Sequence, residues 1–307
     1  MNEPWAIING EWIRASQAAV SVADAGFVLG ATVSEQLRTF RGRLFRWEEH
    51  LERLEQSLKV LGLDLPMSRK EFALAADELV ERNAKLLDPD DDLGLSIFVT
   101  PGLYATFAPG VEPRPTLGMH TYPLPFSNWV AQYNQGAHLA TVDIKPVPGE
   151  CWPVAMKCRS RMHYYLADRQ ARAKFPGARA LLVDNLGRVH DTSTATLIAV
   201  MPGGELAVPP EDRILPGISA GVVHEIAARL GHQWLRCDLM LDDLKQASEL
   251  LLASTPFCLL PATRLDNQPI GDGQPGPMYR AILDTWNQLV QVDIVEQARR
   301  FAQRSKS

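Results

Sequence analysis

Between Trp47 and Leu61 the chain reads WEEHLERLEQSLKVL, with Trp47, Leu51, Leu54, Leu58 and Leu61 recurring at three- and four-residue spacing. That spacing lays the apolar residues on one helix face and the charges on the other. A second helix opens at Ser68, with Glu71 three residues on in capping-box position, and runs to about Asn83. A period of two replaces this pattern over Gly30–Phe40. It predicts a strand with Val33, Glu35, Leu37 and Thr39 on one side and Ser34, Gln36, Arg38 and Phe40 on the other, closed by a turn at Arg41-Gly42-Arg43. The stretch WAIINGEW, Trp5–Trp12, reads as a hairpin about Asn9-Gly10. Leu95–Thr100 and Thr116–Tyr122 read as strands separated by the loop 101–115.

Two prolines interrupt the pattern in PLPFSNWV, Pro123–Val130, and predict an interdomain linker. The expected organisation is an N-terminal domain over 1–122, a linker over 123–132 and a C-terminal domain over 133–307. His138–Ile144 follows as a strand. Lys157 ends a short, mostly apolar approach (Val154, Ala155, Met156), and a helix follows with Met162, Tyr165, Leu166 and Ala173 roughly on one face. Ala180–Val183 is a buried-looking strand that turns at Asn185-Leu186-Gly187. The second limb of that hairpin carries His190, Asp191 and the polar run Thr192–Thr196. A helix over Ala220–Leu230 stops at Gly231, a short strand over Leu250–Ala253 runs into Ser254-Thr255-Pro256, and a last helix covers Met278–Ala302.

Composition narrows the class. With 46% apolar and 22% charged residues, 307 residues make an ordinary globular protein of one large or two smaller domains. The net charge is −5, and the basic residues cluster only in the tail from Arg299 to Lys306, so nucleic acid is not an expected partner. The start, Met1-Asn2-Glu3-Pro4, lacks the pattern of a secretory signal, and no apolar run reaches membrane-spanning length. The four cysteines show no paired spacing and read as reduced thiols of a cytoplasmic protein. The seven histidines form no HExxH pattern, and no metal site is expected.

Lys157 and Asp191 are the candidate chemistry. A lysine amine attacks a carbonyl only when unprotonated, which apolar neighbours favour. A pyridine cofactor needs a carboxylate beside its ring nitrogen to stay protonated. From the residues alone, a lysine that snorkels and an aspartate that caps a turn explain the same positions. Arg53 offers a bidentate fork to an anion, or an exposed pair with Glu49 one helical turn away. Ser219 offers a hydroxyl to a phosphate at a helix start, or an N-cap.

Six segments in order resemble the fold-type IV pyridoxal-5′-phosphate (PLP) enzymes: DAGFVLGATVSEQLRTF, FRWEEHLERL, the lysine segment, the acid hairpin, ILPGIS and LLLAST. The family includes branched-chain and D-amino-acid aminotransferases and aminodeoxychorismate lyase. The resemblance implies a two-domain α/β (α+β) fold, a smaller N-terminal α/β sandwich and a larger C-terminal domain with a barrel-like sheet. It implies a PLP Schiff base on Lys157, with Asp191 at the ring nitrogen and Leu215 against the ring. Arg53, Ile218, Ser219, Ser254 and Thr255 would anchor the phosphate. Ser34, where the family commonly has an aromatic, and Arg38 would meet the substrate, Arg38 at its carboxylate unless it pairs with Glu35 or Asp24. A homodimer is implied as well.

Transamination between an amino acid and a 2-oxo acid is the first expectation. The run Lys157-Cys158-Arg159-Ser160-Arg161-Met162 also resembles the lyase's lysine segment, so release of pyruvate to form 4-aminobenzoate is the alternative. Aspartate replaces the family's usual glutamate at 191, and HDTSTAT keeps a non-catalytic PLP or small-ligand binder as a third reading. The loop GLYATFAPG lacks the arginine and histidine with which D-amino-acid aminotransferases trap a substrate carboxylate, which removes the main support for D substrates.

Overall fold

The computed structural model describes residues 3–304; Met1-Asn2 and Lys306 of the basic tail lie outside the described residues. The chain divides into two compact units, Met1–Leu124 with Met156–Ser160, and Pro125–Ala155 with Arg161–Ser307. The first break falls among the prolines at 123–125, but nothing in the sequence pattern marks the return of 156–160 to the first unit.

The first unit contains β1 (Trp5–Ile8), β2 (Glu11–Arg14), α1 (Ala25–Val28), β3 (Val33–Phe40), β4 (Arg43–Leu44), α2 (Trp47–Val60), α3 (Arg69–Ala84), β5 (Leu93–Thr100) and β6 (Thr116–Pro123). Its strands form one antiparallel sheet in the order β2-β1-β6-β5-β3-β4. The β1–β2 turn places Asn9 at φ 54° and Gly10 at φ 84°, the left-handed pair that a two-residue hairpin requires. α2 buries Leu51, Leu54 and Leu58 against Val33 and Leu37 of β3 and against Phe72, Ala76 and Leu79 of α3. Each buried leucine contributes roughly 1.5–3 kcal/mol. α3 starts with the expected capping box, Ser68 and Glu71.

The second unit contains α4 (Gln132–Gln135), β7 (Ala137–Thr141), α5 (Met162–Lys174), β8 (Arg179–Val183), β9 (Val189–Thr192), β10 (Thr196–Val200), β11 (Leu206–Val208), α6 (Ile218–Arg229), β12 (Trp234–Arg236), α7 (Leu241–Gln246), β13 (Glu249–Ser254), β14 (Cys258–Leu265), β15 (Gln268–Pro269), α8 (Pro277–Val290) and α9 (Ile294–Phe301). The strands run β12-β11-β10-β13-β14-β7-β8-β9, with β15 on β14, in a mixed sheet that curls into a half-barrel.

Three expectations fail here. The face of α5 predicted to be buried, with Met162, Tyr165, Leu166 and Ala173, is exposed; Ala167 and Ala171 are the buried residues. Two alanines one turn apart let the helix approach Ala140, Ala180 and Leu182 closely, which larger side chains would prevent. The last predicted helix is two helices, because Gln291 takes a left-handed conformation at φ 55° and Asp293 caps a fresh start, accepting from the Glu296 amide at 2.9 Å. Finally, Ser219 does not cap α6: Gly217 is the N-cap, and Ser219 lies buried in the first turn.

Candidate active site

Lys157 does not end a regular strand. The segment 157–159 pairs with the beginning of β3 through an isolated antiparallel bridge between Val33 and Cys158. The Ser34 amide donates to the Lys157 carbonyl at 2.9 Å, and the Arg159 amide donates to the Thr32 carbonyl at 2.8 Å. Directly opposed residues of an antiparallel pair share a face. Lys157 therefore shares the face of Ser34, Gln36 and Arg38, while Met156 and Cys158 turn the other way, and Met156 packs into the α2 core. The Lys157 amide is held separately, by the Ser57 hydroxyl of α2 at 3.1 Å.

The opposite face of β3 carries a buried ionic cluster. Glu35 accepts from Arg53 Nε at 2.7 Å and from Arg53 Nη2 at 2.8 Å, and its Oε2 lies 2.7 Å from His50 Nδ1. Burial alone would raise the Glu35 carboxyl. The Arg53 charge and hydrogen bonds, with those of His50, reverse that and hold it far below the ordinary range. Burial depresses the His50 imidazole below its usual value; Glu35 opposes this, and the charges of Arg53 and Lys157 add to it. The exposed pairing of Arg53 with Glu49 is overturned: Glu49 pairs with Arg46 at 2.7 Å, and Arg53 is buried.

The two carboxylates considered as partners of Arg38 are engaged elsewhere. Glu35 faces α2, and Asp24 caps α1, accepting from the Gly26 amide at 2.7 Å and from Thr116 Oγ1 at 2.8 Å. Arg38 is buried, its Nε donating to the Thr39 carbonyl at 3.2 Å and its guanidinium 4.0 Å from the centre of the Phe40 ring.

In the second unit Asp191, on β9, is buried, and its Oδ1 has no hydrogen-bond partner. Burial raises its carboxyl well above the ordinary value, against the pull of the Leu215 and Leu197 amides. A buried carboxylate oxygen without a donor is costly, and a ligand donor removes that cost. Leu215 is thereby placed beside Asp191. The polar run forms the tight turn from β9 to β10: Thr192 Oγ1 donates to the Ala195 carbonyl at 2.8 Å and accepts from the Ala195 amide at 3.1 Å. Ser254 Oγ donates to the Thr194 carbonyl at 2.6 Å, so the end of β13 is stapled to that turn, with half-buried Thr255 next to it. Gly217 opens α6, where a side chain would meet Thr196 Oγ1 at 2.6 Å. The Ile218 and Ser219 amides of that first turn have no acceptor within the helix and can seat an anion. An orphaned acceptor and a helix start stripped of side chain suit a protonated pyridine ring bearing a phosphate.

The sequence pattern does not mark Glu35 as a site residue. Ser57 carried a local signal, four residues beyond Arg53 on the same helix.

The amino-transferase class IV family profile matches residues 32–265. A D-alanine aminotransferase of Staphylococcus aureus (strain N315) is 28% identical over 295 residues, covering 92% of this chain and 97% of its own. A putative branched-chain-amino-acid aminotransferase of Methanocaldococcus jannaschii is 28% identical over 288 residues, covering 92% and 95%. Among solved structures, the branched-chain aminotransferase of Escherichia coli aligns with a TM-score of 0.85 at 21% identity, covering 94% and 95%. That of Thermoproteus uzoniensis, solved with norvaline, aligns with a TM-score of 0.83 at 24% identity, covering 97% of each chain. These structures share the fold, and the family match over most of the chain makes this protein a member of the class IV aminotransferases, which depend on PLP.

Proposed function

We propose that this aminotransferase moves an amino group between an amino acid and a 2-oxo acid, with Lys157 as the catalytic residue and Asp191 as the partner of the cofactor's ring nitrogen. The observation that carries the assignment is the buried, partnerless Oδ1 of Asp191. Bound PLP supplies an electron sink for the bond broken at the substrate's Cα. Lys157 Nζ would hold the cofactor and, as general base and acid, would take a proton at the substrate's Cα and return one. Asp191 supplies the negative charge that keeps the ring nitrogen protonated. Arg53, the amides of Ile218 and Ser219, and the Ser219 and Thr255 hydroxyls bind phosphate. Ser254 holds the neighbouring turn, and Leu215 covers the ring. The sheet face bearing Ser34 and Arg38 meets the substrate.

Borohydride reduction of cofactor-saturated protein, digestion and mass analysis test the assignment. The label is expected on Lys157, and an amino acid is expected to shift the visible spectrum to the pyridoxamine form. A label elsewhere, or none, would overturn the proposal.

The protein works as a homodimer in this reading. The exposed Met162, Tyr165 and Leu166 on α5 support it, as apolar residues that a second copy would cover. Four cysteines with free thiols support a cytoplasmic setting.

A further inference from the structure

We infer that Arg179 is a positioning residue of the cofactor's phosphate seat, drawing the β9–β10 and β13–β14 turns together and lending them a positive charge. The inference rests on the PLP-dependent aminotransferase reading above and adds a residue to the seat that reading describes. Arg179 is the first residue of β8, which pairs antiparallel with β9, Leu181 lying opposite Thr192. Two residues further out on each side, Arg179 comes beside Thr194, and opposed side chains share a face. Arg179 Nη1 donates to Thr194 Oγ1 at 3.3 Å. The same guanidinium lies 5.2 Å from the centre of the Phe257 ring, on the second turn. Its Nε and Nη2 donate to Gln132 Oε1 at 3.3 and 3.2 Å, which fixes the plane of the fork.

Thr255 is tied on both sides by this arrangement. Ser254 before it bonds the Thr194 carbonyl, and Phe257 after it packs on Arg179 and accepts from the Tyr133 hydroxyl at 2.9 Å. Charge around the first turn is one-sided. Thr192–Ala195 bear none of their own, and Arg161 donates to the Ser193 carbonyl, so a guanidinium sits on each of the two central residues. Among the described residues no carboxylate is hydrogen-bonded or ion-paired to Arg179 or Arg161. The Asp168 carboxylate of α5 acts on Arg179 only through its field; it accepts from the Ala180 amide at 3.2 Å and pairs with Arg172 at 3.8 Å. Burial pushes the Arg179 guanidinium down, with Asp168 opposing and Arg172 adding, yet an arginine stays charged. A phosphate ester is the ligand that such a charge favours, over the same ring without the phosphate.

The test titrates the cofactor-free protein with PLP and with pyridoxal, which lacks the phosphate, and follows visible absorbance and tryptophan fluorescence. Wild type is expected to bind PLP the more tightly. Arg179→Gln is expected to weaken PLP about tenfold and pyridoxal by less than about twofold. Arg179→Lys, which keeps the charge without the fork, should recover part of the PLP affinity. Inorganic phosphate should raise the melting temperature of cofactor-free wild type, and raise that of Arg179→Gln less. Thr194→Val, which keeps the charge and removes the acceptor, should weaken PLP and spare pyridoxal. It decides the matter if Arg179→Gln does not fold, and an unchanged ratio of PLP to pyridoxal affinity in it would then overturn the inference. Equal losses of PLP and pyridoxal in Arg179→Gln, or wild-type PLP affinity in that variant, would overturn the inference and leave the aminotransferase reading intact. A wild type that prefers PLP through Arg179, yet carries no borohydride label on Lys157, would overturn that reading instead and keep Arg179 at a phosphate seat.

Discussion

The backbone amide of Lys157 donates to the Ser57 hydroxyl at 3.1 Å, and that hydroxyl donates to the Arg53 carbonyl at 2.9 Å. One buried serine thus ties the peptide of the proposed cofactor lysine to the helix turn carrying the proposed phosphate arginine. Ser57→Ala leaves a backbone N–H without its acceptor, at a cost of about 1–3 kcal/mol. Urea denaturation of the cofactor-free protein should show that loss, and the half-reaction should slow with KM unchanged. Ser57→Thr, which keeps the hydroxyl, should recover most of the rate.

Glu35 holds Arg53 with two hydrogen bonds and His50 with a third contact, all buried. Removing one partner strands the other's charge, so Arg53→Ala and Glu35→Ala should each destabilise by about 3–5 kcal/mol. The double variant should cost less than the sum. The Glu35 carboxyl is depressed in the fold, so its contribution is present above its ordinary value of 4.5 and lost as pH falls toward the folded value. Stability of Glu35→Gln should therefore fall less steeply on acidification. Parallel acid limits in the two proteins, read by thermal melts, would show that the cluster does not carry this charge.

In α5 the exposed apolar residues, Met162 at 69% and Tyr165 at 66% exposure, stand clear of the buried alanine face. Tyr165→Glu combined with Met162→Glu should leave the helix and its packing unchanged. In the proposed dimer it should shift sedimentation to the monomer. Unchanged association of the double variant would place any interface elsewhere.

What the sequence made legible was local. The capping box at Ser68, the Asn9-Gly10 turn and the leucine stripe of α2 all depend on neighbours within one or two turns, and all stand as read. β10 and β14 escaped because their residues are buried on both faces, so Leu197–Val200 and Leu259–Ala262 show no alternation. α5 misled because volume suggested Met162 and Tyr165 as core, while close packing selected Ala167 and Ala171. Among the site candidates, Arg53 was visible in EHLERL, but its carboxylate partner sits on a strand eighteen positions earlier. Lys157 acquires its place only from the pairing of 157–159 with β3, a contact between distant segments that no local period encodes.

Asp191 makes opposite predictions for the protein with and without cofactor. Its carboxyl is raised in the fold, chiefly by burial. The folded state therefore holds a proton that the unfolded chain has released above the ordinary value of 3.8. Such a group gives its full contribution below that value and loses it as pH rises toward the folded one. Stability of the cofactor-free protein should fall with rising pH through this window, and Asp191→Asn, which cannot ionise, should lack that slope and melt higher than wild type at neutral pH. With PLP bound the order should reverse, because the carboxylate then meets a ring N–H that asparagine cannot match in charge. The same substitution should slow the half-reaction about 100-fold or more. Melting curves of both proteins across pH, with and without saturating PLP, decide the matter: identical slopes without cofactor and no reversal with it would remove Asp191 from the ring nitrogen.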